Sequence, residues 1–173
     1  GLKMNELSKV KEQYQKSDNL ITRISIHDKY STNKMGFGNW YFTIFEIQDG
    51  MKILELGCGT GSMWIEHKDV ISKCSQAVFS DLSEGMLAEA KKNIGGATNV
   101  EYKVIDIQEI PFEDEYFDIV IANCMLYHVP DIDKAISEVS RVLKKGGHFY
   151  TSTTGGNGIM EAIARMLELD LLY

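Results

Sequence analysis

A short apolar run, Met51-Lys52-Ile53-Leu54-Glu55-Leu56, leads without a spacer into Gly57-Cys58-Gly59-Thr60-Gly61, and a helix-compatible stretch starts at Ser62. Few architectures accept that order. A buried strand that turns on glycines into a helix opens a parallel sheet. The glycines permit a sharp bend and bring bare main chain to the carboxyl edge of the strand. The alternation then repeats. Further short strands are expected at 76–80, 100–105, 116–122 and 148–153, with helices at 62–71, 83–94, 131–145 and 159–172. Ser83 and Asp131 open two of these helices as N-caps. Gly95-Gly96 closes the first, and Lys144-Lys145-Gly146-Gly147 closes the second with cations and then glycine. The pattern reads as an α/β fold with a doubly wound, mostly parallel sheet.

Upstream of the sheet, Met4, Leu7, Val10 and Tyr14 follow helical spacing, and a second helical stretch is expected to hold Leu20, Ile21, Ile24 and His27. Residues 30–39 read as a loop, and the aromatic block 40–47 as a helix packed on the sheet domain. The expected organisation is a helical cover over residues 1–50 and a sheet domain over 51–173. A chain of 173 residues is long enough to bury one core without staples. Eighteen basic against twenty-five acidic side chains, net −7, argue against broad binding to a nucleic-acid backbone. Cys58, Cys74 and Cys124 are odd in number and form no C-x-x-C, which excludes a disulfide scaffold or zinc ribbon and fits a reducing, cytoplasmic setting. No apolar run approaches the roughly 18 residues of a membrane span.

Two acids sharpen the reading. Asp81 ends the second expected strand, where a carboxylate accepts both hydroxyls of a ribose. Asp106 ends the third, where it can take a hydrogen bond from an exocyclic amine, with Leu82 and Ile107 as apolar walls for a purine. A dinucleotide would ask for G-x-G-x-x-G, yet Ser62 stands where the last glycine would be. S-adenosylmethionine has no phosphates and carries a sulfonium. Glu55, just before the glycines, would repel a pyrophosphate and tolerate a cation, so the electrostatics lean towards the sulfonium.

At these segments the chain resembles the class I S-adenosylmethionine-dependent methyltransferases, which have a Rossmann-like sheet. The matching stretches are Ile53 to Gly61, Asp81-Leu82-Ser83-Glu84-Gly85-Met86-Leu87, and Asp106-Ile107 running to Ile110-Pro111-Phe112. Phe117-Asp118-Ile119-Val120 through Tyr127-His128-Val129, and Glu138 to Gly147, complete them. The resemblance implies that Gly57, Cys58, Gly59 and Gly61 face the methionine part of the cofactor. It puts Asp81 on the ribose, Asp106 on the adenine amine and Asn123 near the methionine end, with Glu55, Leu82, Met86 and Ile107 completing the surface. That family has seven strands, whereas five are expected here. The domain therefore reads as truncated after the fifth strand, whose open edge another copy or the N-terminal helices must cover.

The implied chemistry is in-line methyl transfer, with S-adenosylhomocysteine as the product. Alignment and desolvation carry most of such a reaction, with a general base where the acceptor must lose a proton. His128 is the candidate base, and a histidine hydrogen-bonded at the pocket wall is the alternative. Tyr30, in a polar loop, and Tyr127 are expected to face the acceptor, while Trp40 reads as packing. Cys58 and Cys124 read as small residues in a tight loop and a pocket, since no base adjoins them. Glu66-His67 is not H-E-x-x-H, and no metal is expected. Asn123-Cys124-Met125-Leu126 lacks the Asn/Asp-Pro-Pro-aromatic run that marks methylation of nucleobase or amide nitrogens in the resembling superfamily, which favours a small-molecule acceptor. An NAD(P)-dependent oxidoreductase and a non-catalytic binding protein that kept the cofactor fold remain as alternatives.

Overall fold

Strands of a parallel sheet are apolar on both sides because helices cover both faces, and Lys52–Leu56 shows why. Ile53 packs on one side with Phe79, Ile121 and Trp64, while Leu54 and Leu56 pack on the other with Val78, Val120 and Ala122. The computed structural model describes residues 23–28, 42, 45–123 and 125–153. Six strands are present among them, β1 (Arg23–Asp28), β2 (Lys52–Leu56), β3 (Gln76–Ser80), β4 (Val100–Lys103), β5 (Phe117–Asn123) and β6 (Leu143–Thr153). They lie in the order β1-β6-β5-β2-β3-β4, and each neighbouring pair is parallel. From β2 the chain steps outward to β3 and β4, then crosses back to β5. That reversal opens a crevice at the carboxyl ends of β2 and β5.

Helix α1 (Lys68–Lys73) and helix α2 (Glu84–Ile94) share one face with the 3-10 turn Ser62–Trp64, through Ile71, Ala90, Ile94 and Trp64. Helix α3 (Ile132–Val142) covers the other with Ile132, Ala135, Ile136, Val139 and Val142. The expected caps form: Ser83 Oγ accepts from Met86 N at 3.2 Å, Asp131 Oδ1 accepts from Lys134 N at 3.1 Å, and Gly95 follows the last turn of α2. Helix α3 also fixes the chain that leads into β5. Arg141 donates to the carbonyls of Ile110 and Phe112, both at 2.7 Å, and pairs with Glu138 at 2.6 Å, while Glu138 Oε1 accepts from Ile110 N at 2.9 Å. The connection after β4 is thereby held to α3. No helix among the described residues is long and apolar enough to cross a membrane.

Several expectations are corrected. Residues 23–28, placed in a helical stretch, form β1, because Arg-Ile-Ser-Ile-His-Asp alternates with period two. Because β1 pairs along the full length of 148–153, the edge expected to be open for association between copies is occupied within the chain. The helix expected over 62–71 is interrupted: after the turn Ser62–Trp64, which buries Trp64, the chain re-enters a helix only at Lys68. Of the block 40–47, residues 45–47 are irregular, held by ring contacts of Phe45 with Trp64 and Tyr150 rather than by helical hydrogen bonds. Finally, Lys144 to Gly147 do not close α3. They form an irregularity in β6 opposite Phe117 and Ile119, where Gly147 has no room for a Cβ beside the carbonyls of Lys144 and Asp118. The helices expected at 4–14 and 159–172, and most of the proposed cover over 1–50, lie outside the described residues.

Candidate functional site

The glycine bend is built by what it lacks. Gly57, Gly59 and Gly61 all have left-handed backbone, with φ of 70°, 57° and 69°. At Gly61 a Cβ would come within 2.7 Å of Ile94 Cδ1, so the loop lies directly on α2. A Cβ at Gly57 would instead stand 3.5 Å from Met125, at the floor of the crevice. Ser80 ties the bend to the sheet, its hydroxyl donating to the Glu55 carbonyl at 2.7 Å and its carbonyl accepting from Cys58 N at 2.8 Å.

Asp81 completes this frame. Its Oδ2 accepts from Gly59 N and its Oδ1 from Ser83 N, both at 2.9 Å. A carboxylate has about four acceptor positions, so one amide on each oxygen leaves capacity for ligand hydroxyls. Asp106, exposed at the other wall, accepts from Gln108 N at 2.9 Å. Asp81 and Asp106 both line a cleft of about 520 Å³, together with Gly57, Leu82, Ile105, Ile107, Gln108, Asn123, Met125, His128, Val129 and Pro130. Asn123 is oriented by Ser152 Oγ at 3.3 Å and Met63 Sδ at 3.6 Å.

The structure thus brings Gly57, Asp81, Leu82, Asp106, Ile107, Asn123 and His128 to one cleft. It does not bring Glu55, Cys58, Gly59, Gly61 or Met86 to its lining. Glu55 is buried on the opposite side of β2 from Leu54 and Leu56, and its Oε1 accepts from Trp64 Nε1 at 2.8 Å. Burial, with the negative charges of Glu55 and Asp81 behind it, pushes the Cys58 thiol far up, which keeps it protonated and removes it as a nucleophile. The amides of Cys58, Gly59 and Gly61 all donate inside the protein. Met86 is partly exposed on α2 beyond the cleft rim. Tyr30 and Cys124 lie outside the described residues, as does the side chain of Tyr127. Sequence reading missed Met125, Gln108 and the Val129-Pro130 wall. Only Gln108 had a local signal, standing two residues after an acid at a strand end, the spacing of an Asx turn.

The cleft fits an adenosyl sulfonium better than a diphosphate. Two aspartates line it, no lysine or arginine among the described residues does, and the amides of Cys58, Gly59 and Gly61 that could cradle phosphate oxygens are already committed. A cationic ligand is therefore favoured by Asp81 and Asp106 rather than by Glu55. Among the described residues no three His, Cys, Asp or Glu side chains cluster as metal ligands do.

Comparison with known proteins gives the same direction. The sequence matches the family described as methyltransferase domain over residues 54–151. It is 38% identical over 101 residues to the demethylmenaquinone methyltransferase of Staphylococcus aureus, a match spanning 58% of this chain and 42% of that protein. The chain thus spans less than half the length of that relative. A solved S-adenosylmethionine-dependent methyltransferase from Mesorhizobium loti superposes with a TM-score of 0.56 at 28% identity, over 65% of this chain and 52% of its own. The cyclase SpnF superposes with a TM-score of 0.65 over 95% of this chain and 69% of its own. At 19% identity it shares the fold alone.

The buried Glu55 leaves a signature in stability. Burial pushes its carboxyl up from the ordinary 4.5 to about 7, the Trp64 hydrogen bond opposes this, and the charge of Asp81 adds to it. The folded protein therefore holds a proton that the unfolded chain releases between these values. This contribution is complete below pH 4.5 and drains away as pH rises towards 7, by about 3 kcal/mol. Glu138, held below the usual range first by Arg141, acts in the opposite sense and at lower pH. Urea denaturation across pH 4.5 to 7 should show wild-type stability falling relative to Glu55→Gln, which keeps an acceptor for Trp64. Parallel curves for the two proteins would contradict the assignment.

Proposed function

The chain belongs to the methyltransferase domain family, and on that premise we propose that it transfers the methyl group of S-adenosylmethionine to a small organic acceptor, leaving S-adenosylhomocysteine. The observation that carries this reading is the cleft at the carboxyl ends of the strands. Gly57 contributes bare main chain, Asp81 and Asp106 contribute carboxylates, and among the described residues no lysine or arginine lines the cleft to meet a diphosphate. When bound, S-adenosylmethionine supplies a methyl group on a sulfonium, already activated for displacement. The protein's task is to place, orient and dry the reactants.

In this reading Asp81 accepts from the ribose hydroxyls with the capacity that Gly59 and Ser83 leave free. Asp106 accepts from the exocyclic amine, and Leu82 and Ile107 flank the purine. Gly57 gives the methionine end a surface without side chain, and Asn123 lies beside it, its amide fixed by Ser152 and Met63. His128 lines the same cleft, at the end of the 3-10 turn Leu126–His128. The Staphylococcus relative is named for demethylmenaquinone. In the reduced, hydroxylated form of such a ring, carbon becomes nucleophilic when the hydroxyl gives up its proton. Imidazole is the side-chain type that takes a proton near neutral pH. We assign that role to His128 and a hydroxylated aromatic ring to the acceptor. Three cysteines, odd in number and without C-x-x-C, fit the reducing cytoplasm in which we place the reaction.

Titration calorimetry with S-adenosylhomocysteine tests the cofactor site. Asp81→Ala should weaken binding by about 1.5 to 3 kcal/mol, the worth of hydrogen bonds to a charged group, and an unchanged dissociation constant would remove Asp81 from the ribose. Transfer of a radiolabelled methyl group to a panel of hydroquinones and phenols tests the acceptor end. His128→Asn should lower turnover about 10²- to 10⁴-fold while leaving the affinity for S-adenosylhomocysteine intact. Equal turnover would leave His128 a wall residue.

A further inference from the structure

Gln108 has no part in that transfer, yet it touches both walls of the cleft. On one side its main-chain N–H donates to Asp106 Oδ1 at 2.9 Å, and its side-chain Nε2 donates to Oδ1 at 3.1 Å and to Oδ2 at 3.3 Å. On the other its Oε1 accepts from Asp131 N at 3.1 Å. Asp131 is the cap of α3 and directly follows the Val129-Pro130 wall.

This arrangement fixes which way the amide faces. Once Oε1 is committed to a main-chain N–H, only the NH₂ group remains to meet Asp106. Two donors on one carboxylate hold its plane. The acceptor capacity that remains, chiefly on Oδ2, then belongs to whatever lies along the purine edge of the cleft. An ionised carboxylate held this way accepts but cannot donate, so it rewards an amine there and opposes a carbonyl.

We propose that Gln108 is a positioning residue that sets the selectivity of the cleft for a 6-aminopurine over its 6-oxo counterpart, by holding the Asp106 carboxylate as a fixed acceptor between the two walls. The proposal rests on the reading of Asp106 as the partner of the exocyclic amine, and it adds a reason why that carboxylate discriminates. The segment that carries Asp106 is itself secured downstream, at Ile110 and Phe112, by Glu138 and Arg141. Gln108 therefore has the carboxylate, rather than the whole loop, to position.

The test compares S-adenosylhomocysteine with S-inosylhomocysteine, in which the amine is replaced by oxygen, by calorimetry on the full chain. Wild type should prefer the amino ligand, and Asp106→Asn should abolish the preference. Gln108→Leu should cut the preference about five- to ten-fold, the smaller part of a charge-assisted hydrogen bond, and chiefly through the amino ligand. Gln108→Asn, too short to reach both walls, should give the same loss, and it reads the same ratio if the leucine variant does not fold. If Asp106→Asn removes the preference while the Gln108 variants keep it, or weaken both ligands by one factor, the positioning role is wrong and the Asp106 reading stands. If Asp106→Asn retains the preference, both fall.

Discussion

The chain leaves β2 through a bend that needs left-handed backbone at three positions, which glycine adopts without strain. Left-handed backbone at Gly57, Gly59 and Gly61 turns the chain back on itself, and contact with Ile94 leaves no space at the last of them. The rest of the site derives from that constraint. A loop folded this tightly presents one bare surface, at Gly57, and consumes most of its own amides. One of these, Gly59 N–H, reaches Asp81 at the end of the neighbouring strand. The carboxylate assigned to the ribose in the proposed function is therefore the same one that holds the bend in shape.

Charge then narrows what such a cleft can hold. Asp81 and Asp106 both line the cleft, and among the described residues no lysine or arginine lines it to offset them. A ligand bringing phosphates would meet repulsion and committed amides, whereas a sulfonium meets favourable potential. The third acid, Glu55, lies behind the bend, within reach of Asp81's charge but hydrogen-bonded to Trp64. The likeness to the cyclase SpnF shows that this sheet is not by itself a statement about chemistry. The family match and the lining residues carry the functional reading, not the topology.

Local signals made the frame legible. The strand and the glycines were readable at 51–61 because each is a short-range pattern, and the acids at 81 and 106 stood out because they follow strands. Caps at Ser83 and Asp131 were readable for the same reason. What escaped was set at long range. The spacing of Ile24 and His27 reads as helix, but pairing with β6, distant in sequence, makes 23–28 a strand. Lys144 to Gly147 have the composition of a helix end, yet the carbonyl of Asp118 beside Gly147 draws them into β6. Glu55 looked like a ligand contact because of its neighbours in sequence, but strand alternation turns it to the Trp64 side. Met125 reaches the site beside Gly57 through the fold, and nothing in its own sequence surroundings announces that.

A crystal structure of the chain grown with S-adenosylhomocysteine would test the central claim most directly. The ribose hydroxyls should lie on Asp81 with the Gly59 and Ser83 contacts retained, the exocyclic amine on Asp106, and the thioether beside Gly57. An adenosyl group bound elsewhere, or seated in the cleft with Asp81 still turned wholly to the main chain, would contradict it.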